Sequence, residues 1–343
     1  MSGAEAKVSC VTGASGFIGS HVVRELLERG HHVRATVRDA SAEAKTRHLL
    51  ALPGAAERLE LFSADLMISG SFDEAIAGCE WVFHVASAVF LTAKNPQRDI
   101  IDPAVQGTAN VLDSVEKAGT VKRIGLTSSI AAVHAIKERR GHVYTEKDWC
   151  NDATVKIGPY ALGKVRAEKS VWERKDKLGF DLTVVNPTLV LGPLLAEVHQ
   201  RSSTSSVRSL VCNEFPALPK MAWGIVDVRD VADALITGVE QGANGRFILS
   251  KDSLWIREMA RILKAQYPSQ NVRTLQMPNL FMYPTLLWEK RVSYNFLRHN
   301  LGRMDQLDNT KVQRELGIEL RGVEQMLRDT VDSMVSLGIV KLR

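Results

Sequence analysis

The chain has 343 residues, 45% of them hydrophobic and 24% charged, with a formal net charge of +5. These are ordinary globular proportions, enough for one large domain and a smaller lobe, and the scattered lysines and arginines give nucleic-acid binding no support. Four distant cysteines (Cys10, Cys79, Cys150, Cys212) form no C-x-x-C pair, and no apolar run reaches the length of a membrane span. A disulfide framework, a metal site and a membrane segment are therefore not expected, and a reduced, cytoplasmic setting is.

Residues 7–12 are short, apolar and β-rich. Residues 17–29 carry Ile18, Val22 and Leu26 at helical spacing. A strand at 32–37, a helix at 42–52, a strand at 59–62, a helix at 71–77 and a strand at 81–85 follow. The alternation continues with a helix at 105–118, a strand at 123–127, a helix at 160–178 and a strand at 182–185. Such alternation implies parallel βαβ units, so the expected fold is α/β, a doubly wound parallel sheet of the Rossmann type. Residues 1–190 are expected to form the dinucleotide-binding domain.

After Pro187 the rhythm breaks. Residues 194–223 are rich in Ser and Pro without clear periodicity, which reads as a mobile loop or lid, with Leu194, Phe215 and Trp223 as its apolar residues. A helix at 228–241, a strand at 246–249, a helix at 254–265 and a helix near 323–337 complete the chain. Residues 191–343 are expected to be mainly a substrate lobe over the carboxyl ends of the strands, with about 225–250 returning to the core.

The first strand runs into Thr12-Gly13-Ala14-Ser15-Gly16-Phe17-Ile18-Gly19. The G-x-x-G-x-x-G spacing suits a dinucleotide turn. Gly13 permits the sharp turn, Gly16 a close approach to a pyrophosphate and Gly19 helix–strand packing, while the helix N-terminus supplies N–H groups. A merely flexible loop is the plainer reading. At the end of the second strand, Arg38 can meet a 2′-phosphate with its fork of donors, and Lys45 can add charge. Both also read as solvated surface cations, and Asp39 is an acid that could hold the free ribose of NAD instead. Asp65 could accept from the adenine amino group with Leu66 on the ring, or simply cap a turn.

Two features carry chemistry. Tyr160 and Lys164 are four residues apart and share one helix face. An ammonium beside a phenol stabilises the phenolate that proton donation leaves behind, so Tyr160 suits a general acid toward a carbonyl oxygen. Thr127-Ser128-Ser129 follows a strand and offers a hydroxyl to polarise the same oxygen. Singly, each pattern is common in helices and turns; together, after a glycine turn, they form a constellation.

These motifs resemble the group of extended short-chain dehydrogenases that includes dihydroflavonol reductases, cinnamoyl-CoA reductases and methylglyoxal reductases. The matching stretches are VTGASGFIGSHVVRELLERGHHVRATVRD (11–39), KTRHLL (45–50), ADL (64–66), VFHVAS (82–87), LTSS (126–129), YALGK (160–164), NPTLVLGP (186–193) and VDVRDVADA (226–234). The resemblance implies that Gly13, Ser15, Gly16, Phe17, Ile18 and Gly19 cradle the cofactor and that Arg38 and Lys45 grip its 2′-phosphate. It implies that Asp65, Leu66, Val85, Ala86 and Ser87 line it, and that Pro187 and the backbone through Val190 meet its nicotinamide end. Ser129, Tyr160 and Lys164 would be catalytic, with Ser128 as the alternative serine and Lys164 also holding the ribose. An asparagine of the extended family has no counterpart in residues 102–108.

The expected function is NADPH-dependent reduction of a small-molecule aldehyde or ketone to an alcohol, by a monomer or weak homodimer. The alternatives are a sugar-nucleotide epimerase or dehydratase, to whose diphosphate Arg201 and Arg208 would be suited, a hydroxysteroid dehydrogenase, and a non-catalytic NADP-binding sensor. The last would not need a Tyr-Lys pair.

Overall fold

Successive side chains of a strand point to opposite faces, and here both faces are apolar. Val11, Phe83 and Val185 enter one core, with Val22 and Leu26 of the helix Phe17–Glu28 and Val231 and Leu235 of the helix Val228–Gln241. Their neighbours Cys10, Val82 and Val184 enter another, with Val111 and Val115 of the helix Asp102–Ala118 and Val171 of the helix Pro159–Leu178. Strands buried on both faces belong in a parallel sheet covered by helices on each side. The computed structural model describes residues 6–87, 93–201, 203–287 and 294–343.

From one edge the large sheet runs Leu59–Ser63, His32–Val37, Val8–Thr12, Trp81–His84, Arg123–Thr127, Asp181–Pro187 and Gly245–Leu249, every pair parallel. Its seven strands are those expected from the sequence, displaced by at most two residues at their ends. Chain order reverses between Val8–Thr12 and Trp81–His84, where Thr12 lies opposite His84. The crevice outside the carboxyl ends of such a pair is where doubly wound sheets bind ligands.

Residues 194–223 are not the irregular loop that their composition suggests. They hold a 3-10 turn (Glu197–Arg201), a helix (Ser205–Val211) and the start of a strand (Ala222–Asp227). Val207, Leu210 and Val211 enter a separate core with Leu191, Ile225, Met259, Leu263, Met326 and Val331. Those three residues occupy the i, i+3 and i+4 positions of a helix only seven residues long. One turn cannot repeat, so no period is visible among the serines. Leu194 is buried in this core and Trp223 packs against it, whereas Phe215 is exposed. The expected helix at 254–265 begins at Ile256, because Leu254 and Trp255 belong to the strand Asp252–Trp255, which pairs antiparallel with Ala222–Asp227. The latter also pairs in parallel with Leu189–Leu191.

The VDVRDVADA stretch joins this second core to the large sheet. Asp227 is fully buried, caps its helix by accepting from Arg229 N at 2.9 Å, and pairs with the Arg229 guanidinium at 2.7 Å. Arg229 reaches on to Asp329 at 2.5 Å, and buried Asp230 holds Arg321. Among the described residues no helix is long and apolar enough to cross a membrane.

Candidate active site at the switch point

The glycine turn is shaped by what it lies against. Gly13 has φ +69°, and a Cβ there would come within 2.7 Å of Ala86 Cα. Gly19 faces the Gly13 carbonyl with no space for a side chain. Gly16 is exposed and caps the helix Phe17–Glu28 without a side-chain hydrogen bond, so the first helical N–H groups are left for an anion. Phe17 is buried, and its ring packs against His21 and His199. The cradle fits a dinucleotide diphosphate.

Thr12 holds this turn to the next strand. Its Oγ1 accepts the N–H groups of Val85 (3.2 Å) and Ala86 (3.1 Å) and lies 2.8 Å from His84 Nδ1. Burial, then the charge of Lys164, pushes the His84 pKa down to about 3, so its imidazole is neutral at neutral pH. With Nδ1 accepting from Thr12, the ring proton sits on Nε2, 3.4 Å from Thr108 Oγ1. Thr12, His84 and Thr108 were not singled out in the sequence. The first two stand inside recognised motifs, but only strand register brings them together.

At the outer end of the crevice Arg38 and Lys45 are exposed, and Arg38 Nε lies 3.8 Å from Asp65 Oδ2. Asp39 turns to its own loop: Oδ1 accepts both the N–H (2.9 Å) and the O–H (2.6 Å) of Ser41, which holds its carboxyl below the usual range. Asp65 caps a turn through Met67 N at 2.8 Å, the plainer of its two roles, while its other oxygen faces Arg38. Asn110 anchors the Leu66 carbonyl at 2.7 Å.

The inner end is a small cavity lined by Leu66, His84, Ala86, Ser87, Ser128 and Lys164, among others. The helix Pro159–Leu178, which lends Lys164, Ala167 and Glu168 to the cavity wall, starts through Gly158 at φ +75° and Pro159, a start that fixes Tyr160 in the first turn. Tyr160 is half-buried, and Lys164, one turn on and buried, has Nζ 6.0 Å from the Tyr160 ring centre. The two serines differ. Ser128 donates to Glu168 Oε2 at 2.5 Å. Among the described residues the Ser129 hydroxyl has one hydrogen bond, accepted from Ala131 N at 3.2 Å, so its proton is not used there. Pro187 is buried at a strand end, whereas Val190 lies inside a strand, with its side chain in the main core and its carbonyl taken by Ser203. Lys164 thus lines the crevice with Ser128, while Tyr160 stands one helical turn before Lys164 and Ser129 directly follows Ser128, groups of the kind able to protonate an oxygen. Arg208 pairs with Glu214 at 2.9 Å, which weakens its suitability for a diphosphate. Among the described residues no cluster of His, Cys, Asp or Glu could hold a metal.

Burial also lowers His21 to about 3 and His199 to about 4, against an ordinary value of 6.5. His199 closes on the glycine turn, with Nε2 3.2 Å from the Ser15 carbonyl. Below pH 6.5 the unfolded chain takes up protons that these folded histidines accept only near pH 3–4, so stability is lost as pH falls through that window. At pH 5.5 the loss should be on the order of 1 kcal/mol for each of the three. Urea midpoints at pH 7.5, 6.5 and 5.5 check this; a midpoint that does not fall at pH 5.5 would contradict the buried, neutral assignment.

Known proteins resemble this chain over most of its length. A cinnamoyl-CoA reductase of Medicago truncatula is 42% identical over 79% of this chain and 82% of its own length. Tetraketide alpha-pyrone reductase 1 of Arabidopsis thaliana is 38% identical over 98% of both. In three dimensions, yeast methylglyoxal/isovaleraldehyde reductase complexed with NADPH superposes with a TM-score of 0.80 at 26% identity, over 97% of this chain and 100% of that one. The profile that matches residues 9–249 covers both the glycine turn and the Tyr160–Lys164 pair, and the chain therefore belongs to the NAD dependent epimerase/dehydratase family.

Proposed function

We propose that this chain is an NADPH-dependent reductase that converts a small-molecule aldehyde or ketone to an alcohol, with Tyr160 as proton donor. The observation that carries the reading is a crevice whose inner end is lined by Lys164, one helical turn after Tyr160, and by Ser128, next to Ser129, and whose outer end presents Arg38. Relatives over nearly the whole chain are named as reductases, and the yeast neighbour is a complex with NADPH.

NADPH supplies the hydride when bound. The chain's own residues do the rest. Gly13, Ser15, Gly16, Phe17, Ile18 and Gly19 hold the diphosphate, and Arg38 and Lys45 the 2′-phosphate. Asp65, Leu66, Val85, Ala86 and Ser87 line the adenosine and central portions, and Pro187 with the backbone to Val190 meets the nicotinamide end. Ser129 donates a hydrogen bond to the substrate carbonyl, Tyr160 gives that oxygen its proton, and Lys164 stabilises the phenolate left behind while holding the ribose. Residues 1–190 serve the cofactor and 191–343 mainly the substrate, in a cytoplasmic monomer or weak homodimer.

Arg38→Ala should weaken NADPH binding by about tenfold or more, the usual loss for one charge-assisted contact, and leave NADH binding unchanged. Titration with both cofactors checks this, and an unaltered preference removes Arg38 from the site. Tyr160→Phe keeps the ring and its packing but removes the transferable proton. NADPH affinity should hold while kcat falls by ~10²–10⁴-fold, the range for a lost general acid. Steady-state rates with NADPH binding measured separately decide it; near-parental turnover would exclude Tyr160 as the donor.

A further inference from the structure

Glu168 stands one helical turn beyond Lys164 with its side chain fully buried (0% exposed). Its carboxylate is surrounded by donors. Oε2 accepts from Ser128 Oγ (2.5 Å) and Asn186 Nδ2 (3.0 Å). Oε1 accepts from Arg246 Nε (2.6 Å) and Trp172 Nε1 (3.4 Å). Arg246 continues to the carbonyls of Glu146 (3.0 Å) and Asp148 (2.5 Å) and stacks 3.9 Å from the Trp149 ring centre.

A buried ion pair contributes little net stability compared with apolar packing, so stability alone is a weak account of this one. Its placement suggests another role. Ser128 is turned inward by Glu168, and in extended backbone (Ser129 φ −162°, ψ 153°) the next side chain leaves on the other side. Asn186 Nδ2 bridges Glu168 to the Ser129 carbonyl, at 3.2 Å from the latter. One carboxylate thus ties the helix bearing Tyr160 and Lys164, the Ser128–Ser129 turn and the strand end before Pro187.

We propose that Glu168 is a positioning residue: it selects Ser129 over Ser128 as the substrate-facing hydroxyl and fixes its distance from Tyr160. This rests on the reading that Ser129, Tyr160 and Lys164 carry the reaction. A glutamine would fit the same space but cannot accept from all four donors. With its oxygen on Arg246, its amide nitrogen meets the Asn186 amide donor to donor. Asn186 relieves this by flipping its Oδ1, which has no partner among the described residues, toward that introduced nitrogen, and the flip breaks the link to the Ser129 carbonyl.

The test compares Glu168→Gln with Arg246→Lys by melting temperature, NADPH Kd, kcat and KM. Glu168→Gln should bind NADPH within about threefold of the parent and lose about 10- to 100-fold in kcat, the scale for misplaced catalytic groups, with KM little changed. Arg246→Lys keeps a cation beside the carboxylate; it should melt lower yet retain kcat within about threefold. If Glu168→Gln does not fold, Asn186→Ala, which cuts only the bridge, should show the same kcat loss with intact NADPH binding. Parental kcat in folded Glu168→Gln or Asn186→Ala overturns the proposal, as does an equal kcat loss in Arg246→Lys. If Tyr160→Phe is inactive while Glu168→Gln is active, only this inference fails; if Tyr160→Phe is active, the underlying reading fails.

Discussion

Where the two strands at which chain order reverses end, the hydroxyl of Thr12 links them beyond their backbone ladder. It accepts two backbone N–H groups from the strand exit at Val85 and Ala86 and sits beside the Nδ1 of a histidine kept neutral by burial. That fixes Ala86 against Gly13, where no side chain at residue 13 would fit. This hydroxyl thus helps to place the glycine turn against the 85–87 segment, and Ser20 Oγ and His199 hold the turn from its other sides. Buried polar groups that are paired allow few alternative arrangements, which restricts the turn proposed to hold the diphosphate.

The same economy holds at the other end of the crevice. Tyr160 and Lys164 share a helix face by spacing alone, but a helix face does not place them against the serine turn. Glu168 and Asn186 make that link inside the protein, through hydrogen bonds that need no solvent. The second core is joined to the sheet by Asp227, Arg229 and Asp230, and the 3-10 turn Glu197–Arg201 that leads into it brings His199 to the glycine turn.

Much of this was legible in the sequence. The seven sheet strands were readable because each is a short apolar run bounded by turn residues, and the glycine turn and Tyr-Lys pair because their spacing is local. Residues 194–223 were not readable: Val207, Leu210 and Val211 make one helical turn, and one turn has no period. Thr12, His84 and Glu168 were hidden for a different reason. Their roles depend on which strands are neighbours and in what register, and no local spacing encodes that. The resemblance alone prefers Ser129 to Ser128, since local spacing does not separate two adjacent identical side chains; the buried Glu168, which holds Ser128, does.

The central claim is that the crevice delivers a hydride and a proton across a carbonyl. The most direct measurement uses NADPH dideuterated at the nicotinamide C4 with an aldehyde or ketone that the protein turns over. The alcohol should carry one deuterium on its carbinol carbon, in a one-to-one ratio with NADPH oxidised. Product free of deuterium, or a sugar nucleotide isomerised with no net oxidation of the cofactor, would contradict the account.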